Sequence, residues 1–205
     1  MVKRAFDLVV STVALLALLP LFVILGLMIR LDSPGRAFFR QVRIGRHARP
    51  FEILKFRSMI EQAGPQVTVA GDIRVTRIGR FLRRTKLDEL PQLFNVFKGE
   101  MSLVGPRPEV PRYVDLYPAA VRDLVLSVRP GLTDEAAIEF VEEGEILAQS
   151  ADPEVTYVQE VLPKKLAIYA AYARNRTFGG DIRILMRTLL RLTCGSRFNR
   201  DRPLR

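Results

Sequence analysis

The sequence predicts an α+β fold, mainly helical with one small β-hairpin, carried on an N-terminal re-entrant membrane helix and amphipathic interfacial helices. Three observations support this. An uncharged run of 22 residues, Leu8 to Ile29, contains only Ser11 and Thr12 as hydroxyls. The apolar period then changes to strict alternation over residues 37–57, and helical spacing dominates beyond residue 75. A length of 205 residues, 48% hydrophobic and 26% charged, suits one globular domain with an appendage and excludes wholesale disorder. The expected division is a membrane-inserted segment 1–35, a cytoplasmic domain 36–180 and a basic amphipathic segment 181–205.

At ~1.5 Å per residue the apolar run is long enough to match a hydrocarbon core of ~30 Å. Pro20 lies inside it and lacks an N–H, so a helix break is expected there. The arms of 12 and 9 residues on either side would reach roughly 18 Å and 14 Å, and neither crosses alone. Lys3 and Arg4 precede the run, and Arg30, Arg36, Arg40, Arg43, Arg46 and Arg49 follow it. Keeping both basic flanks in the cytoplasm favours a segment that dips in and returns, with a kinked single pass as the alternative. A cleaved signal peptide fits poorly, because the run exceeds an h-region and no A-x-A site follows. Asp7 is expected to cap a helix end or pair with Arg4 or a later arginine.

Phe38, Arg40, Val42 and Ile44 alternate, as do Phe51, Ile53, Lys55 and Arg57, around Gly45 and Pro50. This predicts a hairpin with a basic tip. Residues 61–73 have loop composition. A short helix over 75–84 places Ile78, Phe81 and Leu82 on one side and arginines on the other. Leu87, Leu90, Phe94 and Phe97 then recur at helical spacing, with Pro91 in the first turn and Gly99 as the stop. Pro106 and Pro108 hold an extended loop around Arg107. Helices are expected at 110–127, 134–149 and 153–174, the first and third interrupted near their prolines. Residues 180–193 carry Arg183, Arg187 and Arg191 at i, i+4, i+8 among leucines. Such a helix suits a headgroup interface, and equally a packed terminal helix.

A single cysteine, Cys194, and a single histidine, His47, exclude Cys-cluster and His-rich metal centres and make a Ser-His-Asp triad improbable. Chemistry therefore falls to carboxylates, arginines and lysines. Asp88 and Glu89 form an adjacent pair at a predicted helix start, and Thr85 to Asp88 fits a capping box. The helix dipole and nearby arginines would favour the ionised carboxylate, available as a nucleophile or metal ligand. Phosphates repel carboxylates, so phosphoryl transfer needs cations nearby. Arg83 and Arg107 bracket the pair.

The segment RRTKLDELPQLFNVFKGEMSLVGPRP (residues 83–108), with KFRSM (55–59) and KRAFD (3–7), closely resembles the bacterial sugar transferase family, the monotopic phosphoglycosyl transferases. The resemblance implies transfer of a phosphosugar from a nucleotide diphosphate sugar, commonly UDP-linked, to polyprenyl phosphate through a covalent aspartyl intermediate. It would begin a bacterial surface glycan at the inner membrane, with the catalytic domain on the cytoplasmic face. By matching position, Asp88 would be nucleophile and Mg2+ ligand, and Glu89 its partner in metal and proton handling. Arg107 and Arg83 would hold phosphate, with Lys55 and Arg57 beside the site.

Two departures stand out. Leu19-Pro20 replaces the family's usual Ser-Pro, and Asp134-Glu135-Ala136 follows RPGLT in place of Gly-Trp-Ala, leading into an acidic run, IEFVEEGEIL (138–147), expected to be a solvated face. The chain is expected to be the catalytic core alone.

The net charge of +10 divides by region. Residues 1–112 hold 19 basic and 9 acidic residues, 113–180 hold 6 and 11, and 181–205 hold 7 and 2. Three phosphate-bearing neighbours account for the excess: anionic phospholipid, the nucleotide sugar and polyprenyl phosphate. The acidic middle argues against a nucleic-acid groove. The competing class is a non-catalytic, membrane-anchored basic protein binding anionic lipid or nucleic acid. Oligomeric state, including a homo-oligomer, is left open by the sequence.

Overall fold

The computed structural model describes residues 2–60, 71–140 and 143–194; most of the expected loop 61–73 and part of the acidic run lie outside them. Helix α1 (Val2–Asp32) is one 31-residue helix running through Pro20. The expected break is therefore not a break in the helix. Leu15, Leu18, Phe22 and Leu25 straddle the proline and pack on the same body, so tertiary contacts hold both halves. The buried positions Asp7, Ser11, Phe22, Leu25 and Ile29 form one stripe. Val9, Val13, Leu16, Leu19, Val23, Ile24 and Leu27 are exposed on the rest. The helix is long and apolar enough to cross a membrane.

Both ends of α1 are pinned to the rest of the chain. At its start, Lys3 donates to Val104 O and to the Tyr172 hydroxyl, each at 2.9 Å, and pairs with Asp181. Arg4 donates to Val96 O and Phe97 O, taking carbonyls at the end of a later helix. Asp7 does not pair with Arg4: its Oδ1 accepts Leu103 N at 3.1 Å. At the other end, Arg57 donates to Ile29 O, Ser33 O and Pro34 O.

Strands β1 (Phe38–Ile44) and β2 (Pro50–Phe56) form the predicted antiparallel hairpin, with Phe38 opposite Phe56 and Ile44 opposite Pro50. Positive φ at the tip falls on His47 and Ala48 rather than on Gly45. Helix α2 (Arg77–Thr85) is N-capped by Thr76, whose side chain accepts Gly79 N. Leu82 packs with Phe22, Leu25, Ile29 and Phe56, joining α2 and β2 to the second half of α1.

Helix α3 (Gln92–Lys98) ends at Gly99, whose φ of 88° is the left-handed C′ conformation. Its buried side is Gln92, Leu93, Asn95 and Val96, while Phe94 and Phe97 are exposed. The expected Leu87-Leu90-Phe94-Phe97 repeat is thus divided: Leu87 and Leu90 pack against the Leu82 cluster, while Phe94 and Phe97 are exposed. Asn95 decides the rotation: its Oδ1 accepts Leu54 N at 3.1 Å and its Nδ2 donates to Glu52 O at 2.7 Å, fastening α3 to the hairpin.

A second sheet, absent from the sequence reading, pairs β3 (Ser102–Val104) in parallel with β4 (Gly131–Thr133). The motifs SLVGPRP and RPGLT meet there. A Cβ on Gly105 would lie 2.4 Å from Arg129 O and 3.0 Å from Gly131 N, so the two backbones touch where only glycine fits. Gly105 N to Thr133 O at 3.1 Å and Gly131 N to Pro106 O at 2.9 Å extend the pairing.

Beyond β3 come α4 (Pro111–Val114) and α5 (Ala119–Leu126), and beyond β4 come α6 (Glu135–Glu139), α7 (Glu143–Ala148) and α8 (Pro153–Thr156). A π-helical turn, Tyr157–Val161, leads into α9 (Leu162–Asn175), with Pro163 in its first turn. Tyr113, Val125, Leu147, Val161 and Tyr169 form their shared core. Helix α10 (Phe178–Cys194) buries Ile184 against Leu93, Met101 and Leu103 and exposes Met186, Leu189 and Leu190. The expected boundary at 180 falls inside it. Arg187 pairs with Glu135 and Arg191 donates to Ile138 O, so part of its basic face is spent on α6.

Candidate active site

The Asp88-Glu89 pair lies in a single 3-10 turn, Leu87–Glu89, between α2 and α3. Lys86 ends α2 in the left-handed conformation, φ 57°, which turns the chain sharply before the pair. The capping box does not form. Thr85 instead turns its hydroxyl back to Phe81 O and Leu82 O, at 2.8 and 3.2 Å. Asp88 is therefore not at the start of an α-helix.

The two carboxylates have opposite environments. Glu89 Oε1 accepts Lys55 Nζ at 3.2 Å, and both of its oxygens accept the Arg107 guanidinium, Oε2 at 3.2 Å. Burial works to raise the Glu89 carboxyl, but Arg107 and Lys55 hold it well below the usual carboxylate range. Glu89 in turn raises the Arg107 guanidinium well above its ordinary value. Burial lowers Lys55, with Arg107 and Arg43 adding to that against Glu89.

Asp88 is buried, and its Oδ1 has no hydrogen-bond partner. Burial and the adjacent Glu89 raise its carboxyl, against Lys55, Lys86 and Arg83. This reverses the direction expected from a helix dipole and bracketing arginines. The reason lies in the pairing: Arg107 and Lys55 close on Glu89, leaving Asp88 the more weakly compensated carboxylate.

Arg83 lies close enough to act on Asp88, its Nε donating to Ser58 Oγ at 2.9 Å. Four of the proposed site residues beyond Asp88 therefore converge: Glu89, Lys55, Arg107 and Arg83. Arg57 does not join them. Its Nη1 and Nη2 atoms are bound to carbonyls at the end of α1, where it acts as a clamp.

A metal ligand set made wholly by the protein is not formed: no group of three or more His, Cys, Asp or Glu comes together among the described residues. The orphaned Asp88 Oδ1 is compatible with a cation that takes one or two carboxylates and completes its shell with water and substrate phosphate, the usual habit of Mg2+.

This arrangement, a buried acceptor-only carboxylate beside clustered cations, is suited to nucleophilic attack on a phosphorus centre. A model of the bacterial sugar transferase family matches residues 1–195. The chain belongs to that family. This family member is 38% identical over 192 residues to a UDP-glucose:undecaprenyl-phosphate glucose-1-phosphate transferase of Caulobacter vibrioides, covering 91% of the present chain and 68% of the relative. It is 36% identical over 196 residues to the Escherichia coli protein of the same name, covering 93% and 40%. It is also 35% identical over 199 residues to a UDP-N-acetylgalactosamine-undecaprenyl-phosphate N-acetylgalactosaminephosphotransferase of Aeromonas hydrophila, covering 95% and 44%. The chain thus spans about two thirds of the first relative and less than half of the other two.

Two groups near the site escaped the sequence reading. Arg43 of β1 donates to Pro108 O at 3.1 Å, beside Arg107; its place on the same hairpin face as Lys55 was available from the alternation. Asp134, whose role the sequence left open, is only 5% exposed, and its side chain N-caps α6 by accepting Ala137 N at 2.8 Å. Burial pushes its carboxyl up to about 6, against the Ala137 bond and Arg107. Only a β4 strand ending at Thr133 would have placed Asp134 at the carboxyl end of the same sheet that carries the Arg107 loop.

Proposed function

We propose that this protein transfers a phosphosugar from a nucleotide diphosphate sugar, a UDP-sugar by analogy with its relatives, to polyprenyl phosphate. The observation that carries this reading is the buried, unpartnered Asp88 oxygen beside a Glu89 whose charge is taken up by Lys55 and Arg107. Asp88 attacks the β-phosphorus. One Asp88 oxygen–phosphorus bond forms, the bond from β-phosphorus to the bridging oxygen breaks, and its electron pair leaves with the nucleoside monophosphate. A phosphate oxygen of the polyprenyl phosphate then displaces Asp88 from the same phosphorus, giving polyprenyl-diphospho-sugar. One diphosphate is exchanged for another, so positioning and charge neutralisation suffice for catalysis.

Glu89 serves in this scheme as the anchor that holds Arg107 and Lys55 against the transferring phosphates, and Arg83 supports Asp88 from α2. Asp88 and the substrate phosphates would hold Mg2+, which supplies further neutralisation of the phosphoryl charge. Because the same body grips α1 at Lys3 and Arg4 and again at Ser33 and Pro34, both ends belong on one side of the bilayer. The positive flanks favour the cytoplasm as that side, with α1 entering the inner membrane and staying within one leaflet. The exposed apolar side chains of α1 and α10 face lipid.

Incubation with UDP-sugars and polyprenyl phosphate tests the reading. Release of UMP with formation of a lipid-extractable sugar is expected. Full turnover by Asp88→Asn would refute the assignment of the nucleophile.

A further inference from the structure

We propose that Arg43 is a third phosphate-binding cation of the Asp88 site, placed beside the Arg107 loop to take a substrate phosphate. The inference rests on the phosphosugar-transfer reading and extends its binding machinery to β1. In the hairpin register Phe39 lies opposite Lys55 and Arg43 opposite Phe51. Residues 39, 41 and 43 therefore share a face with 51, 53 and 55, and that face carries Lys55 to Glu89.

Gln41, on the same face, orients the guanidinium: its Oε1 accepts Arg43 Nη2 at 2.7 Å and Nε at 3.1 Å. Arg43 Nη1 donates to Pro108 O at 3.1 Å and lies 3.4 Å from Glu109 Oε2. These are mostly neutral acceptors. Glu109 pairs with one edge of the fork, while Gln41 and Pro108 O fix its orientation without adding charge, which holds the guanidinium pre-positioned beside the Arg107 loop.

The closeness of the cations points the same way. Arg43 pairs with Glu109, Lys55 and Arg107 pair with Glu89, and Asp88 and Asp134 act on Lys55 and Arg107 from further off, while Glu109 also accepts the Tyr157 hydroxyl at 2.6 Å. Arg43 and Lys55 keep just 17% of their side chains exposed. Three cations held this close and largely out of water repel one another, and an anion seated between them would offset that repulsion. Burial lowers both Arg43 and Lys55, and Arg107 repels both. A phosphate would relieve that strain. The donor's diphosphate and the acceptor's phosphate share this chemistry.

The full chain in nanodiscs should be titrated with inorganic pyrophosphate, UDP and a short-chain polyprenyl phosphate, as wild type, R43Q, R43K and R40Q. Arg40 lies on the opposite hairpin face with 66% of its side chain exposed and serves as the charge-matched control. R43Q is expected to weaken at least one of these anions tenfold or more, R43K less, and R40Q under twofold. Loss confined to pyrophosphate and UDP assigns the donor phosphates; loss confined to polyprenyl phosphate assigns the acceptor; loss in both assigns a shared seat. A correctly folded R43Q that binds all three within twofold of wild type overturns the proposal. If R43Q fails to fold, R43K decides: a loss of threefold or more supports the role, and unchanged affinity overturns it. UMP release is scored separately. Arg43-dependent anion binding without any UMP release would sink the transfer reading and leave this site standing.

Discussion

Replacing Asp134 by asparagine should stabilise the protein at neutral pH and leave it nearly unchanged in acid. Asparagine keeps an oxygen for Ala137 N and caps helices about as well as aspartate, so the perturbation is essentially loss of a buried charge. In the folded chain the carboxyl sits at about 6, raised from 3.8. Below the lower value the group is neutral in both states and the folded state incurs no penalty. Between the two values the unfolded chain gives up its proton first, so stability falls as pH rises; above the upper value the loss is constant. A displacement of about two pH units corresponds to about 3 kcal/mol. For a domain of this size that is on the order of 6–12 °C in melting temperature. The assay is thermal unfolding in nanodiscs at pH 4 and pH 7.5. Asp134→Asn should melt higher by roughly that amount at pH 7.5 and within a degree or two of wild type at pH 4. A variant that melts lower at pH 7.5 would refute the reasoning, because it would mean that Arg107 stabilises the ionised Asp134 by more than its burial costs.

Glu89→Gln removes the acceptor for Lys55 and Arg107 and should cost about 3 kcal/mol or more of stability, with at least a hundredfold loss in kcat; urea unfolding and UMP release measure the two. The acid limb of the pH profile should fall above the ordinary aspartate range of about 3.9, because attack needs ionised Asp88 and its carboxyl is raised. Initial rates across pH 4–8 check this, and a flat profile in folded enzyme contradicts it. Gly105→Ala should drive a Cβ into Arg129 O and displace Arg107, lowering kcat/KM by about a hundredfold; a variant with wild-type kcat/KM would show that the β3–β4 contact does not place Arg107. In a Cys194→Ser background, Val2→Cys and Arg36→Cys should react alike with an impermeant thiol reagent in intact cells; labelling of only one from outside would mean that α1 crosses the bilayer.

The elements legible in the sequence were those with local signals. The hairpin announced itself by alternation, α2 by its apolar side, and the ends of α3, α4 and α9 by glycine and proline. What escaped depended on distant partners. Three-residue strands such as Ser102–Val104 have no readable period, and their pairing with Gly131–Thr133 explains both glycines only after the two motifs meet. The helical spacing did not show which side of α3 is buried, because Asn95, a polar residue, seeks the hairpin backbone and takes Leu93 and Val96 inward with it. Within the site, the fold brings Asp88, Glu89, Lys55, Arg83 and Arg107 together, and which cation pairs with which carboxylate had no signal in the sequence. The sequence sets the arginines around the pair without dividing them; the fold gives Arg107 to Glu89. Arg57 shares its hairpin face with Lys55, yet the end of α1 lies closer and claims it.

The central claim is that Asp88 becomes covalently phosphorylated by the donor. Enzyme incubated with a UDP-sugar labelled in its sugar, without polyprenyl phosphate, should give a peptide containing Asp88 that carries one phosphosugar. The label should disappear on addition of polyprenyl phosphate and should be absent from Asp88→Asn. Undiminished lipid-linked product from Asp88→Asn, or turnover by wild type with no labelled peptide at any time point, would contradict the account.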